Sequence, residues 1–202
     1  MTVIGITGPT GAGKTTVLRV LEGMGALVLD CDALYHRLTE TCQPMRRALR
    51  AAFGPDIFGP DGALRRKQLG AIVFDDPQAL ARLEAITHRH IRRAVRRQVA
   101  RAARAGRPAA AVDAIALLES GLGRDCDVTV AVVASEQVRV KRIMAREGID
   151  EGYARLRAAA QKGEEYFTQR CDYVLRNDGD DPAQLEAQAR ALFEPIINKG
   201  EV

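Results

Sequence analysis

One short stretch near the N-terminus, residues 4–16 (IGITGPTGAGKTT), constrains the fold more than any other part of the sequence. It satisfies the pattern G-x-x-x-x-G-K-[ST]. An apolar run at residues 3–6 predicts a buried strand before it, and a helical pattern at residues 15–22 follows it. A strand, a glycine-rich loop and a helix in this order predict a nucleoside triphosphate site at the start of the first helix.

The residue types in this loop suit a triphosphate and its metal ion. Glycines permit a backbone whose N–H groups point inward, where side chains would obstruct the phosphates. Lys14 can reach the β- and γ-phosphates and act in catalysis, and the Thr15 hydroxyl can bind Mg²⁺. The residues expected to bind the nucleotide are Gly8, Pro9, Thr10, Gly11, Ala12, Gly13, Lys14, Thr15 and Thr16.

Composition limits the class of protein. The chain has 202 residues, of which 47% are hydrophobic and 28% charged, which suits one α/β domain with an insertion. No apolar run approaches the about 18 residues of a membrane span, and no basic and apolar leader precedes the first strand, so we expect no membrane association and no secretory signal. The widely spaced cysteines predict free thiols in the cytoplasm. They are Cys31, Cys42, Cys126 and Cys171.

A basic segment covers residues 82–107, with nine arginines against the single acid Glu84. It could bind nucleic acid or a phosphorylated metabolite. Ile91, Val95, Val99 and Ala102 recur at helical spacing, however, which favours a helix whose arginines mostly face solvent, with one or two free to touch a ligand. Because the segment contains no aromatic residue for base stacking, we expect no nucleic-acid partner.

Two carboxylates follow the second apolar run, residues 26–29, at Asp30 and Asp32. Ligands gather at the carboxyl ends of parallel strands, so we expect these acids beside the phosphate loop. One could accept the proton of an attacking hydroxyl while the other holds Mg²⁺ through water. The alternative is that Asp32 merely caps a helix beginning at Ala33.

Five apolar runs predict a parallel sheet with helices on both faces: residues 3–6, 26–29, 109–112, 128–133 and 173–175. Residues 33–107 are too long for a simple crossover and should form a helical insertion for the second substrate. Residues 136–170 should form a helical lid. The remaining segments, residues 1–32, 108–135 and 171–202, complete the core of a single predicted domain.

The lid begins with a helix that Ser135 is expected to cap. It carries Arg139, Lys141, Arg142 and Arg146. Cations here can close on the triphosphate and neutralise the transferring phosphoryl group. The alternative is that about half of them or more lie on a solvated surface.

Two histidines lie near the expected start of the basic helix. His88 could bind an anion or act in catalysis, or it could be a packed side chain, and the sequence does not decide between these. His88 and His90 are two residues apart and do not share a helix face, so we expect no metal pair.

Further motifs accompany the loop. They are the D-x-D of Asp30 and Asp32, the Asp61-Gly62 turn with Leu64, Arg66 and Leu69, Val73-Phe74, Leu83 with Ile86 and His88, Leu117-Leu118-Glu119, Gln137 with Arg142, Gln161, and the segment CDYVLRN at residues 171–177. In this combination the chain resembles the dephospho-coenzyme A (dephospho-CoA) kinase family nearly end to end.

The resemblance implies a P-loop kinase that transfers the γ-phosphoryl group of ATP, with Mg²⁺, to the ribose 3′-hydroxyl of dephospho-CoA, giving coenzyme A and ADP. Asp32 matches the catalytic base, Arg142 the lid arginine, and Asn177 a residue near the adenine. Arg66 and His88 of the insertion, together with Asp32 and Leu117, would bind the acceptor. The oligomeric state stays open, with a monomer favoured.

The chain departs from the family pattern at three positions. Arg89 and Ala116 stand where the family commonly has proline, which changes local backbone freedom but removes no catalytic group. Phe167 stands where the lid often has a lysine or arginine, and the sequence gives it no role. Arg142, Arg146 or Arg170 would have to supply that charge.

Other functions share parts of this pattern. A nucleoside or nucleotide kinase would differ only in its acceptor pocket. A GTPase-like switch would need a guanine-reading N-K-x-D, whereas Asn198-Lys199 is followed by Glu201. A nucleic-acid binder would use the basic helix and lose affinity steeply with salt.

Overall fold

The computed structural model describes residues 1–179 and 181–198. The Asn-Lys tail motif therefore lies partly outside the described residues, at positions 199–201. Five strands form one sheet in the order β2-β3-β1-β4-β5. They are β1 (Thr2–Thr7), β2 (Leu27–Asp30), β3 (Ala109–Asp113), β4 (Val128–Val133) and β5 (Tyr173–Arg176). The predicted parallel sheet is confirmed, because β1 pairs in parallel with β3 and β4, and β4 with β5.

Helices lie between most of the strands along the chain, and four of them lie between β2 and β3. The helices are α1 (Lys14–Gly23), α2 (Cys31–Thr41), α3 (Gln43–Phe53), α4 (Arg66–Val73), α5 (Pro77–Arg104), α6 (Glu136–Glu147), α7 (Glu151–Ala159), α8 (Glu164–Thr168) and α9 (Pro182–Asn198). In the described part of the chain, no helix combines the length and apolar character needed to span a bilayer.

The sheet places β1 at its centre. All six residues of β4 are buried, as a parallel strand covered on both faces requires. Ile6 of β1 is level with Asp113 of β3 on one side and Val130 of β4 on the other. The loop that follows β1 therefore leaves the carboxyl edge of the sheet at its middle, which is where ligands bind in open α/β sheets.

The chain divides into two compact units. Unit 1 comprises Met1–Leu29 and the chain from Val99 onward, and unit 2 comprises Asp30–Gln98. The predicted insertion, residues 33–107, corresponds broadly to unit 2 but extends further along α5. The prediction of a single domain stays a prediction.

Unit 1 has its main core between the sheet and two helices. Ile4 of β1 and Val130 of β4 pack with Val17 and Leu21 of α1 and with Phe193 of α9, and all five are fully buried or nearly so. Burying five such side chains contributes about 1.5–3 kcal/mol each, which fixes α1 against the sheet. The start of α1 is therefore held beside the carboxyl end of β1.

Unit 2 is a helical body with its own core, in which Met45 and Leu49 pack with Ile57 and Leu69. Arg46 is also buried there. Its Nη1 donates to the carbonyl of Thr39 at 2.7 Å and its Nη2 to the carbonyl of Gly62 at 2.6 Å. Arg46 therefore ties the end of α2 to the turn that precedes α4.

The basic segment lies on α5, a helix of 28 residues that begins at Pro77. Ile91, Val95 and Ala102 are buried and Val99 is half-buried, whereas most of its arginines are exposed. This confirms the predicted solvated face. The expected helix start near His88 is wrong, because the helix has already run for three turns there and His88 lies half-buried in its interior. Pro77 marks the true start, as proline commonly does.

The cysteines are free thiols, as predicted. Burial is the main cause that raises the pKa of Cys126 to about 12 and that of Cys171 to about 11. Since the thiolate is the reactive form, we expect both thiols to react slowly with iodoacetamide at pH 8 in the folded protein and at ordinary rates after unfolding in guanidinium. Peptide mapping by mass spectrometry measures this. Rapid labelling of either residue in the folded chain would contradict it.

Candidate active site

The phosphate loop has a backbone that only glycine permits at critical points. Gly8 has a φ of 132° and Gly13 a φ of 108°. A Cβ on Gly8 would lie 2.0 Å from the carbonyl oxygen of Val132, and a Cβ on Gly13 would lie 2.3 Å from Nδ2 of Asn177. The predicted glycine requirement therefore has two causes here, the dihedral angle and the close approach of neighbouring atoms.

The five carbonyl groups from Gly8 to Ala12 each accept a hydrogen bond from a side chain. Lys14 Nζ, at the start of α1, donates to the carbonyl of Gly8 at 2.7 Å and weakly to that of Pro9 at 3.4 Å. These contacts fold the lysine back along the first half of the loop.

The second half of the loop is held by residues from distant parts of unit 1. Arg139 Nε donates to the carbonyl of Thr10 at 3.1 Å, and Arg142 Nη1 donates to that of Gly11 at 3.3 Å. Asn177 Nδ2 donates to the carbonyl of Ala12 at 2.8 Å. In a planar trans peptide each C=O is opposed to the next N–H. Holding these carbonyls toward the donors therefore turns the N–H groups of Gly11 and Gly13 the other way, as an anion cradle requires.

The start of α1 adds a positive end to this cradle. The helix begins at Lys14 with Gly13 as its N-cap residue, and its first turn contains no acidic side chain. The positive end of the helix dipole thus points to a place where an anion can bind. Thr15 lies exposed in this turn, and Thr16 donates its backbone N–H to the carbonyl of Gly13.

Two oxygen-bearing side chains suit a magnesium ion in this part of unit 1. Thr15 offers a hydroxyl, and Asp113 offers a carboxylate at the carboxyl end of β3, level with Ile6. The described residues contain no group of three or more His, Cys, Asp or Glu that could hold a metal. Mg²⁺ commonly takes one or two protein ligands and completes its shell with phosphates and water. Sequence reasoning gave Asp113 no role, although it ends an apolar strand as Asp30 does.

Two residues predicted to bind ATP meet at one corner of the loop. Arg142 of α6 donates from Nη1 to the carbonyl of Asn177 at 3.0 Å and from Nη2 to that of Gly179 at 2.6 Å. With its bond to Gly11, the guanidinium joins α6, the phosphate loop and the turn after β5. The structure brings Arg142 and Asn177 together as one unit, and their contacts with ATP stay predictions.

The other cations of the lid have different surroundings. Arg139 is buried with 5% of its surface exposed, whereas Arg146 pairs with Glu147 at the surface. Arg170 lies over the ring of Tyr166, 4.5 Å from its centroid. Phe167 is buried against β4. Phe167 therefore has a packing role, which the sequence did not reveal. Ser135 occupies the predicted N-cap position of α6, but its side chain makes no cap hydrogen bond there.

The acids after β2 belong to unit 2 and have distinct roles. Asp30 Oδ1 accepts from the backbone N–H groups of Asp32 at 2.8 Å and Ala33 at 2.9 Å, so Asp30 caps α2. The alternative in which Asp32 caps a helix beginning at Ala33 is wrong, because the helix begins at Cys31. The Asp32 carboxylate is exposed and, within the described residues, accepts no hydrogen bond and forms no ion pair.

The predicted acceptor residues of unit 2 lie on three different helices. Asp32 is in the first turn of α2. Arg66 lies exposed at the start of α4, with its guanidinium 5.6 Å from the ring centroid of Tyr35. Burial raises the pKa of Tyr35, and the charge of Arg66 opposes that rise. His88 lies within α5. A guanidinium and an imidazole are therefore available in unit 2 to bind an anionic acceptor.

Leu117 is fully buried in unit 1, where its side chain packs beside Gly5 of β1. A Cβ on Gly5 would lie 2.7 Å from Leu117 Cδ2. This gives Leu117 a place in the core, and its predicted contact with the acceptor gains no support from its burial.

The chain is similar to known proteins over nearly its full length. A sequence profile described as dephospho-CoA kinase matches residues 2–182. The dephospho-CoA kinase of Geobacter sulfurreducens is 39% identical over 193 residues, covering 96% of this chain and 98% of that protein. That of Anaeromyxobacter dehalogenans is 42% identical over 196 residues, covering 97% and 92%. The crystal structure of the TT1252 protein from Thermus thermophilus matches with a TM-score of 0.78 and 34% identity, covering 96% and 97%.

Proposed function

The chain belongs to the dephospho-CoA kinase family, and we propose that it phosphorylates the ribose 3′-hydroxyl of dephospho-CoA with ATP and Mg²⁺. The chain is a P-loop kinase of coenzyme A biosynthesis, and ATP is its phosphate donor.

One observation carries the assignment of the donor site. Five successive carbonyls, from Gly8 to Ala12, each accept from a side chain, which leaves the N–H groups of Gly11 and Gly13 and the start of α1 on the opposite face of the loop. A triphosphate is the ligand that such a face suits. Lys14 is proposed to leave its loop carbonyls for the β- and γ-phosphates, where its charge offsets that of the transferring group.

The acceptor step is proton transfer coupled to attack on phosphorus. The ribose 3′-hydroxyl oxygen of dephospho-CoA attacks the γ-phosphorus of ATP, the bond from that phosphorus to the bridging oxygen breaks, and ADP leaves. Asp32 takes the hydroxyl proton. The support for Asp32 is its exposed carboxylate without a partner in the described chain, since a base must be free to accept. Arg66 and His88 are proposed to bind the anionic acceptor.

Magnesium is the metal that the donor set fits. Thr15 and Asp113 would hold it, directly or through water, and when bound it would neutralise charge on the β- and γ-phosphates. We also propose a cytoplasmic location and a monomer, the first of which the free thiols support.

A coupled ADP-release assay tests the function. We expect dephospho-CoA to stimulate ADP release, and the Lys14→Ala variant, purified in parallel, to exclude a contaminating kinase by losing that stimulation. Phosphorus NMR of the product should show a new 3′-phosphomonoester. A panel of nucleosides and nucleotides at the same concentration is the control. Stimulation by one of them, with none by dephospho-CoA, would replace this proposal with the nucleoside or nucleotide kinase alternative.

A further inference from the structure

Thr10 is attached to the lid through every polar group it has. Its backbone N–H donates to Gln161 Oε1 at 2.8 Å, and its hydroxyl oxygen accepts from Gln161 Nε2 at 2.7 Å. Its carbonyl accepts from Arg139 Nε at 3.1 Å. One carboxamide, which lies just beyond the end of α7, therefore recognises both a donor and an acceptor of a single loop residue.

Arg139 completes this connection from the other side. Its Nη2 donates to Gln161 Oε1 and to the carbonyl of Ala158, each at 3.2 Å. Burial lowers its pKa from the usual arginine value. These oxygen partners are all neutral, so the bonds compensate only part of the cost of removing the guanidinium from water. Arg139 joins α6, the end of α7, Gln161 and Thr10 in one network.

The backbone of α6 also touches the loop directly. A Cβ on Gly11 would lie 2.8 Å from the carbonyl oxygen of Arg139 and 3.1 Å from its Cα. Gly11, whose φ is 82°, therefore lies against the helix that carries Arg139. A shift of this part of α6 would therefore move Gly11, whose N–H group belongs to the anion cradle.

We propose that Gln161 and Arg139 are positioning residues for nucleotide binding, which hold the phosphate loop at Thr10 in the conformation that presents the N–H groups of Gly11 and Gly13. This rests on the proposed ATP site but not on the identity of the acceptor. Gln161 acts through the loop and does not itself touch the phosphates. The bonds of Thr10 make it the anchor of the loop, and its N–H is directed to Gln161.

The Gln161→Ala variant tests the proposal, because it removes both bonds to Thr10 without emptying the buried arginine site. We expect its ADP dissociation constant, measured by titration calorimetry, to rise about tenfold, the size of two lost hydrogen bonds. The KM for ATP should rise similarly and that for dephospho-CoA should not. Gln161→Glu should restore most of the affinity, since a carboxylate still accepts from the Thr10 N–H and the rotatable threonine hydroxyl can donate to it.

The matched control is Gln169→Ala, which removes another lid glutamine, whose Nε2 donates to Glu165 Oε1 at the surface. It should bind ADP as the parent protein does. A double-mutant cycle with Thr10→Val should be non-additive, because both substitutions break the same contact. Unchanged ADP affinity in Gln161→Ala, or additive effects in the cycle, would overturn the proposal.

Direct binding of ADP separates this inference from the proposed function. Suppose that Gln161→Ala binds ADP weakly and that dephospho-CoA does not stimulate ADP release by the parent protein. This result would support the positioning role and reject dephospho-CoA as the acceptor. Parent-like ADP binding in Gln161→Ala, with full stimulation of the parent protein by dephospho-CoA, would reject the positioning role and support the acceptor. Thermal melting of each variant identifies the fraction folded, so that a loss of fold is not counted as a loss of affinity.

Discussion

The Asp32→Asn variant is expected to turn over at least about 100 times more slowly than the parent enzyme, with nearly unchanged affinity for ATP. The asparagine keeps the shape of the side chain but cannot accept the proton of the attacking hydroxyl. Because Asp30 and not Asp32 caps α2, the substitution should leave stability almost unaffected. Steady-state kcat with saturating dephospho-CoA and ATP, beside the ADP dissociation constant, measures both parts of the expectation.

Asp150→Asn is the control for this substitution. Asp150 is also an exposed aspartate at a helix start, where its Oδ1 accepts from the N–H of Tyr153 at 2.9 Å, and asparagine caps a helix about as well. Its turnover should match that of the parent. An Asp32→Asn enzyme with full turnover would show that another group accepts the proton. Loss of stability in Asp30→Ala, by about 1 kcal/mol, would check the capping role independently.

The Gly8→Ala variant is expected to lose at least about 100-fold in kcat/KM for ATP. Its Cβ would lie 2.0 Å from a backbone oxygen of β4, and a φ of 132° is unfavourable for alanine, so the loop must move. Misplacement by about 1 Å is enough for a loss of this size. ADP binding, followed by calorimetry beside a melting curve, shows whether the loss lies in the nucleotide site of a folded protein.

Gly148→Ala supplies the matched control for strain without a clash. Gly148 also has a positive φ, 66°, but nothing lies within 4 Å of the position of a Cβ. The change should cost about 1–2 kcal/mol of stability and leave ATP binding intact. Parent-like ADP affinity in Gly8→Ala would mean that the loop tolerates a Cβ at this position and that its geometry is less constrained than the contact with Val132 indicates.

The sheet and the phosphate loop could be predicted from local sequence because their signals are local. Strand β4 is an unbroken apolar run, and its predicted limits, residues 128–133, match the structure. Gly8, Gly13 and Lys14 likewise lie close together in the sequence, within residues 8–14. The start of α2 was harder, because Asp30 and Asp32 are both good caps and only the hydrogen bonds distinguish them.

The hydrogen bonds that side chains donate to the carbonyls of the loop could not be predicted, because the donors come from far along the chain. Arg142 is 131 residues from Gly11, and Asn177 is 165 residues from Ala12. Arg139 looked in sequence like the exposed arginines of the same helix, since burial depends on α7 and the loop. Phe167 was ambiguous for the same reason, because only the position of β4 shows that it lies in a core.

The dependence of the loop on these late partners has a consequence during synthesis. The loop leaves the ribosome first, but the donors to Thr10, Gly11 and Ala12 arrive with α6 and β5. At translation rates of about 5–20 residues per second, the 165 residues between Ala12 and Asn177 take roughly 10–30 s to appear. A nascent chain that stops short of Asn177 carries the whole glycine-rich motif and still lacks the side chain that holds the carbonyl of Ala12. If these donors shape the nucleotide site as proposed, we expect the chain to bind ATP only once nearly all of it has been made.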